Sequence, residues 1–118
     1  MEGKENVLVI KSYQFALNVV SLYKKLILNT EYVLSRQFLK SGTSVGANVA
    51  EANGAISTAD FSAKISIAYK ESLESKYWVK LLKDSDYIDN EDFQSLYEES
   101  DDLSRILYAI LKKTRIKQ

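Results

Sequence analysis

The sequence predicts an all-α protein, an antiparallel up-down-up-down bundle of four helices. Three observations predict this fold class: the 118 residues contain no proline and only four glycines, apolar residues recur at helical spacing in four segments, and the connections between those segments are short. Short connections between long helices make consecutive helices antiparallel neighbours. We therefore expect one domain over residues 1–118, with helices at about 12–28, 31–53, 58–83 and 90–115.

The first predicted helix has an apolar arc that covers about half of its circumference. The side chains of this arc recur three or four residues apart: Phe15, Val19, Leu22, Tyr23 and Leu26, with Ala16, Val20 and Ile27 beside them. The run 7–10 before it fits either an extra helical turn or a short extended arm. An arc wider than one core needs indicates a partner, so we expect self-association.

The second predicted helix begins after Thr30, which is a plausible N-cap residue. Its apolar stripe consists of Leu34, Phe38, Val45, Val49 and Ala52. Small residues fall four apart on one side of this helix: Gly42, Gly46, Ala50 and Gly54. Each interior glycine costs about 1 kcal/mol of helix propensity relative to alanine, and close approach of a neighbouring helix would offset that cost. The alternative is a break near Gly42, and we favour a continuous helix.

The third and fourth helices have clear start signals. Residues 57–60 (Ser-Thr-Ala-Asp) resemble a capping box, and the fourth helix is predicted to start near Asp89. The third helix has one seam toward the core and a second stripe of mixed character: Ile67, Glu71, Glu74, Trp78 and Leu81. The fourth helix has a single seam: Phe93, Leu96, Ser100, Leu103, Leu107 and Ile110. Like the first helix, the third has more apolar surface than one core requires.

Composition excludes several chemistries. The chain has no cysteine and no histidine, which removes disulfides, thiol nucleophiles, zinc sites built on those residues and histidine-dependent triads. The net charge is zero, and no apolar run approaches the length of a membrane span. We expect a cytoplasmic protein with no cofactor and no membrane partner.

Two sets of polar residues interrupt the apolar stripes. Asn48 and Glu51 flank the stripe of the second helix, where a polar group must find hydrogen bonds. We interpret them as a structural network, for example one that joins Asn48 to a backbone group or carboxylate of a facing helix. Glu71 and Glu74 lie in the stripe with Trp78. They could be buried carboxylates with a raised pKa, partners of a base across a subunit interface, or solvated side chains.

One enzyme pattern competes with a non-enzymatic role. Glu71-x-x-Glu74 followed by Glu98-x-x-Asp101 is similar to the paired acidic motifs of all-α nucleoside triphosphate pyrophosphatases, which bind magnesium through carboxylates. The predicted geometry opposes this hypothesis, because Glu98 points away from the core seam of its helix. We therefore predict that the protein is not an enzyme.

Nucleic-acid binding is a further alternative. Residues 1–83 carry eleven bases against seven acids, and the chain has eight tyrosines that could stack on bases. The candidate phosphate contacts are Lys24, Lys25, Arg36, Lys40, Lys70, Lys76, Lys80, Lys112, Lys113, Arg115 and Lys117. The competing interpretation is a set of solvated helix faces.

Three stretches of the sequence carry a family resemblance: residues 13–17 (YQFAL), 39–52 (LKSGTSVGANVAEA) and 60–78 (DFSAKISIAYKESLESKYW). Together they resemble the 23S rRNA intervening-sequence proteins, which are small bacterial proteins. The resemblance implies an antiparallel four-helix bundle, a ring-shaped homopentamer and no established enzymatic activity. The family-motif positions, read as packing or interface residues, are Gly42, Gly46, Asn48, Glu51, Glu71, Glu74 and Trp78.

The accessory proteins of diversity-generating retroelements are a related group that resembles the same four-helix bundle. Members of that group bind nucleic acid and a reverse transcriptase. We accordingly expect a self-assembling scaffold or adaptor that is linked to RNA or to an RNA-processing partner.

Overall fold

Residues 4–117 fold into four α-helices. The computed structural model describes the backbone of residues 4–117 and the side chains of residues 7–114. The helices are α1 (Lys4–Leu28), α2 (Leu34–Asn53), α3 (Thr58–Asp84) and α4 (Asn90–Lys117), and residues 4–117 contain no strand. Each helix contacts the next, and α1 also contacts α4, in a bundle of 46 × 20 × 20 Å. The predicted all-α four-helix bundle is confirmed. None of the described helices has the length and apolar character that crossing a membrane requires.

The first helix begins earlier than the sequence predicted. Residues 7–10 are helical, and α1 starts at Lys4 rather than near residue 12. Leu8 explains the extension, because it lies seven residues before Phe15 and both side chains are fully buried. Two further turns of helix therefore continue the core seam.

The core combines large apolar side chains with a layer of buried serines. Phe15 and Phe38 are the largest fully buried side chains. The hydroxyl oxygens of Ser72 and Ser104 lie 2.7 Å apart, and Ser75 donates to Ser41 over 3.2 Å. Small side chains at these positions let α3 pack closely against both α2 and α4. Every buried side-chain nitrogen or oxygen in the described residues has a hydrogen-bond partner.

The connection between α1 and α2 corrects one prediction. Thr30 has φ 65°, and its backbone nitrogen donates to the carbonyl of Ile27 over 3.1 Å. The nitrogen of Glu31 donates to the carbonyl of Leu26 over 2.9 Å, so these residues close the C-terminus of α1. The prediction that Thr30 caps α2 is wrong, because Thr30 is in the left-handed conformation and α2 begins only at Leu34.

Glu31 performs the capping of α2. Its carboxylate accepts hydrogen bonds from the backbone nitrogens of Val33 at 3.1 Å, Leu34 at 3.2 Å and Ser35 at 2.6 Å. Burial raises the pKa of Glu31, but the hydrogen bonds from Ser35, Leu34 and Val33 outweigh it and hold the pKa below the usual 4.5. A glutamate three residues before the helix is not among the preferred N-cap residues, which is why the sequence pattern did not identify it.

The other two connections follow the predicted start signals. The Ser57 hydroxyl accepts from the backbone nitrogen of Asp60 over 3.0 Å. A full capping box would also have the Asp60 carboxylate accept from the backbone nitrogen of Ser57, but it accepts from that of Ile56 instead. Asp89 accepts from the backbone nitrogen of Asp92 over 2.8 Å at the start of α4. The interior of α2 is unbroken at Gly42, as favoured. Within one or two residues, the ends of α3 and α4 agree with the predicted ones.

We predict that Thr30→Gly stabilises the protein. A β-branched residue at positive φ carries a steric cost of about 1–2 kcal/mol, and glycine removes it while adding some unfolded-state entropy. The expected net gain is about 1 kcal/mol, measured by urea denaturation monitored by circular dichroism. Thr58→Gly, which places a glycine at the first residue of α3 where φ is helical, is the control and should not stabilise. A loss of stability in Thr30→Gly would contradict the strain argument.

We predict that Glu31→Gln destabilises the protein at neutral pH by about 1–2 kcal/mol, because the amide nitrogen that replaces one of the two accepting oxygens cannot accept a hydrogen bond, and the remaining oxygen is a weaker acceptor than a carboxylate. The folded-state pKa of Glu31 lies below its unfolded value. Its contribution to stability is therefore present above the unfolded pKa and is lost as the pH falls through the folded pKa. Denaturation curves between neutral pH and pH of about 3 should show the two proteins converging in acid. A difference that stays constant with pH would refute this origin.

Candidate functional site

The polar members of the family motif gather on the side of the bundle where α2 meets α3. Glu71 of α3 faces Lys40 and Ser44 of α2 and lies beside Glu74 of its own helix. The Glu71 side chain is half-buried. Burial raises its pKa above the usual 4.5, and the neighbouring Glu74 carboxylate raises it further, against a smaller opposite effect of Ser44 and Lys40. Two carboxylates therefore share one partly desolvated position.

The same surface continues along α3 in both directions. The indole nitrogen of Trp78 donates to the Glu74 carboxylate over 3.2 Å, and the ring of Tyr77 meets the Trp78 ring edge-on at 5.0 Å. One turn before Glu71, Ile67 is 44% exposed. We define the α3 stripe as five residues in order along the helix: Ile67, Glu71, Glu74, Trp78 and Leu81. Its two carboxylates lie between apolar groups at either end.

Asn48 and Glu51 lie on the same side of α2 and have partners within the chain. The Asn48 amide donates to the backbone carbonyl of Ser44 over 2.9 Å, so its partner is its own helix and not the facing helix given as an example in the sequence analysis. Glu51 forms an ion pair with Lys64 of α3 at 3.0 Å, which raises the pKa of Lys64. The Glu51–Lys64 pair joins α2 to α3, whereas the Asn48 hydrogen bond stays within α2.

The glycines of the motif face α1 instead. A Cβ atom on Gly42 would lie 2.6 and 2.8 Å from the two methyl carbons of Val19, and one on Gly46 would lie 3.2 Å from the carbonyl oxygen of Ser12. The close helix approach expected from the spacing is present, and it lies between α1 and α2 inside the subunit. These two motif positions pack the bundle and do not join the polar surface on α3.

The four acids of the proposed magnesium motif are not assembled. Asp101 pairs with Lys76 at 3.1 Å and with Arg105 at 3.0 Å, and these bases lower its pKa. Glu98 accepts from Gln94 of its own helix over 3.1 Å. In the described residues no group of three or more acidic side chains is placed to hold a metal ion. The geometry therefore gives the pyrophosphatase hypothesis no site.

The candidate nucleic-acid contacts divide into paired and unpaired bases. Three of them form ion pairs: Lys25 with Asp92 at 3.5 Å, Lys76 with Asp101 and Lys80 with Asp84. Lys112 lies over the ring of Tyr108. The remaining described bases are exposed and have no carboxylate of residues 7–114 within 4.0 Å, namely Lys24, Arg36, Lys40, Lys70 and Lys113. The side chains of Arg115 and Lys117 lie outside the described residues.

An exposed stripe on α1 was not predicted from the sequence. Ile10, Tyr13 and Leu17 are 63%, 66% and 47% exposed, and Leu28 at the end of the helix is 83% exposed. They lie opposite the buried seam that contains Phe15 and Val19, so they cannot contribute to the core. We define the α1 stripe as these four residues together with Lys24, which lies between the last two of them: Ile10, Tyr13, Leu17, Lys24 and Leu28. Ile10, Tyr13 and Leu17 are three and four residues apart, and this helical spacing of apolar residues could have identified the stripe.

The outer face of α4 is different from those of α1 and α3. Its exposed side chains are mainly charged, and include Glu91, Glu98, Arg105, Lys112 and Lys113. Where α4 meets α1, a polar cavity of about 190 Å³ is lined by Asn18, Ser21, Leu22, Lys25, Asp92, Ser95 and Leu96. Beside it, the Asn18 amide donates to the half-buried Glu99 carboxylate over 2.9 Å, and burial raises the pKa of Glu99. The surfaces of the bundle therefore differ in kind: mixed on α1 and α3, charged on α4.

Comparison with known proteins identifies the family. The sequence model of the 23S rRNA-intervening sequence protein family matches residues 4–109. The chain belongs to this family. The match runs from the first residue of α1 into the last third of α4, so it includes every motif position discussed above.

A solved structure supports the same assignment. The crystal structure of a Bacteroides thetaiotaomicron protein with unknown function, from the S23 ribosomal protein family, is 44% identical and has a TM-score of 0.91. The alignment covers 93% of this chain and 99% of that chain. A search of curated proteins finds no match. The resemblance to the intervening-sequence family predicted from the sequence is confirmed.

We predict that Gly42→Ala destabilises this family member by about 1–3 kcal/mol, despite the higher helix propensity of alanine. The added methyl group would press on Val19, whose branched side chain has one strongly preferred rotamer in a helix. Thermal denaturation followed by circular dichroism measures the effect. Gly54→Ala is the matched control, because the nearest atom to its added Cβ is 3.7 Å away. Equal melting temperatures for the two variants would contradict the close-approach argument.

Proposed function

We propose that this protein is a non-enzymatic, self-assembling scaffold or adaptor, whose copies join through the outer faces of α1 and α3. The observation that carries the proposal is the exposure of large apolar side chains on these faces. Ile10 and Tyr13 on α1 are more than half exposed, and Ile67, Leu73 and Tyr77 on α3 are 40–61% exposed. Apolar surface of this kind on a small protein marks an interaction site.

We infer that the bundle runs up-down-up-down. Polar contacts between α1 and α4 support this topology: Lys25 pairs with Asp92, Asn18 bonds Glu99, and Lys11 pairs with Asp102. Residues nearer the start of α1 contact residues nearer the end of α4, as antiparallel helices require. Short connections support the same arrangement for the other neighbours, within one domain that spans residues 1–118.

We propose a ring as the assembled form, with a homopentamer as the expectation from the family resemblance. Two different apolar faces on one subunit support a heterologous contact, which generates a ring when its rotation closes. In such a ring the charged face of α4 would stay available to solvent or to a further partner, an RNA or an RNA-processing protein.

The non-enzymatic part of the proposal rests on how the acids and bases are used. Asp101 is engaged by two bases, Glu51 by Lys64 and Glu99 by Asn18, and the Glu71–Glu74 pair has no third acidic side chain placed with it to hold a metal ion among the described residues. The chain has no histidine or cysteine to supply it. Incubation with magnesium and a panel of nucleoside triphosphates should release no pyrophosphate, and release that Glu71→Gln abolishes would overturn this part.

A second candidate function is direct nucleic-acid binding. The favouring observation is that Lys24, Arg36, Lys40 and Lys70 are exposed on α1, α2 and α3, with no carboxylate of the described residues within 4.0 Å. A ring would repeat these bases around its circumference and raise the local charge. Each phosphate contact would release counterions, so binding would weaken steeply with salt.

We predict that the purified protein forms a discrete oligomer several times its monomer mass of 13.4 kDa. Size-exclusion chromatography with light scattering, over a tenfold range of protein concentration, measures the mass. A strictly monomeric protein at tens of micromolar would contradict self-assembly.

The same experiment with bulk RNA at low salt separates the two candidate functions. Under the scaffold proposal with a protein as the further partner, the oligomer elutes unchanged when RNA is added. Co-elution with RNA that is lost as salt rises would favour direct nucleic-acid binding. Arg36→Glu with Lys70→Glu should then abolish the shift, whereas an unchanged shift in that variant would exclude these bases as the contacts.

A further inference from the structure

We propose that the α1 stripe of one copy packs antiparallel on the α3 stripe of the next copy, with Lys24 placed against the Glu71 and Glu74 carboxylates. The inference rests on the proposed self-assembly and specifies which two surfaces join and in what register. The partner that covers each stripe is therefore a second copy of this chain. Three observations support the contact: the residue spacings of the two stripes match, their charges are opposite, and the stripes lie on separate sides of the bundle.

The spacings of the two stripes match when the helices are antiparallel. Leu17 and Lys24 are seven residues apart on α1, as are Glu71 and Trp78 on α3, a separation of about 10.5 Å on a helix. Placing Lys24 against Glu71 therefore places Leu17 against Trp78.

The match continues at both ends of the stripes. Leu28 lies four residues beyond Lys24, and Ile67 lies four residues before Glu71, so these two exposed side chains also meet. At the other end Tyr13 approaches Leu81. One register thus covers Leu28, which is 83% exposed and has no role in the free subunit.

The charges are complementary in the same register. Glu71 and Glu74 place two carboxylates side by side, and the base that faces them within the subunit is Lys40 of α2. Lys24 is the one charged residue of the α1 stripe, and no carboxylate of residues 7–114 lies within 4.0 Å of it. An ammonium group between apolar flanks is partly shielded from water, where its attraction to the carboxylates is stronger than on an open surface.

The two stripes cannot meet within one subunit. In the described bundle α1 and α3 are not neighbouring helices, since each packs against α2 and α4. A contact between an α1 stripe and an α3 stripe is therefore heterologous, and each added copy leaves one stripe of each kind open until a ring closes. The charged outer face of α4 takes no part in this contact.

Charge reversal tests the register. Lys24→Glu and Glu71→Lys should each weaken association at least tenfold in the concentration needed for assembly, measured by light scattering across a dilution series. The double variant Lys24→Glu/Glu71→Lys should recover it, because every interface then holds the reversed pair. An equimolar mixture of the two single variants should also associate, as alternating copies, since each supplies the face that the other lacks, although a five-membered ring would keep one mismatched contact.

The controls separate this inference from the proposed function. Lys113→Glu makes the same charge reversal on the outer face of α4 and should assemble like the unchanged protein. Circular dichroism melts check that each variant folds, and Glu74→Lys replaces Glu71→Lys if the latter unfolds. Single variants that assemble normally, or a double variant that fails to recover, would overturn the register while self-assembly stands. An unchanged protein that stays monomeric would overturn both.

Discussion

Close packing through small side chains is the constraint on which the bundle depends. At Gly42 the absence of a Cβ lets α2 approach Val19 of α1 more closely than any other residue would permit. About 100° around α2 from Gly42, Ser41 meets Ser75 of α3, and Ser72 of α3 meets Ser104 of α4. A short hydroxyl at each contact is buried without an unsatisfied polar group, so closeness is gained without the penalty of burying an unpaired donor.

This packing decides which surfaces are left for other molecules. Because glycines and serines fill the contacts between helices, the long side chains of α1 and α3 are divided between a core seam and an outer stripe. Phe15 and Val19 are buried, whereas Tyr13 and Leu17 on the opposite side of the same helix are exposed. A 118-residue chain that leaves such side chains in water has apolar surface beyond the needs of its own fold.

Much of the fold could be predicted from the sequence, because helical period and start signals are local. The seams of α2, α3 and α4 and the starts at Ser57 and Asp89 were identified in this way. The start of α2 could not be, because Glu31 caps it from a turn whose geometry depends on the left-handed Thr30. Propensity rules describe common caps and do not anticipate a buried glutamate reaching three backbone donors.

The site was predictable only in part, since contacts between helices are not local. The stripe containing Glu71 and Trp78 followed from spacing on one helix. The facing position of Lys40, and the engagement of Asp101 by Lys76, required knowledge of how neighbouring helices are aligned. The exposed α1 residues were not predicted, because the buried seam dominates the apolar periodicity of that helix.

The paired serines have a mechanical consequence. A hydroxyl pair such as Ser72 with Ser104 joins atoms only 2.7 Å apart, so axial sliding of α3 along α4 by one helical turn, about 5.4 Å, would separate the pair. Purely apolar seams tolerate such sliding more easily, because one methyl group can replace another. The serine layer therefore favours one register of the packed helices, and that register sets the intervals between side chains on the surfaces of neighbouring helices.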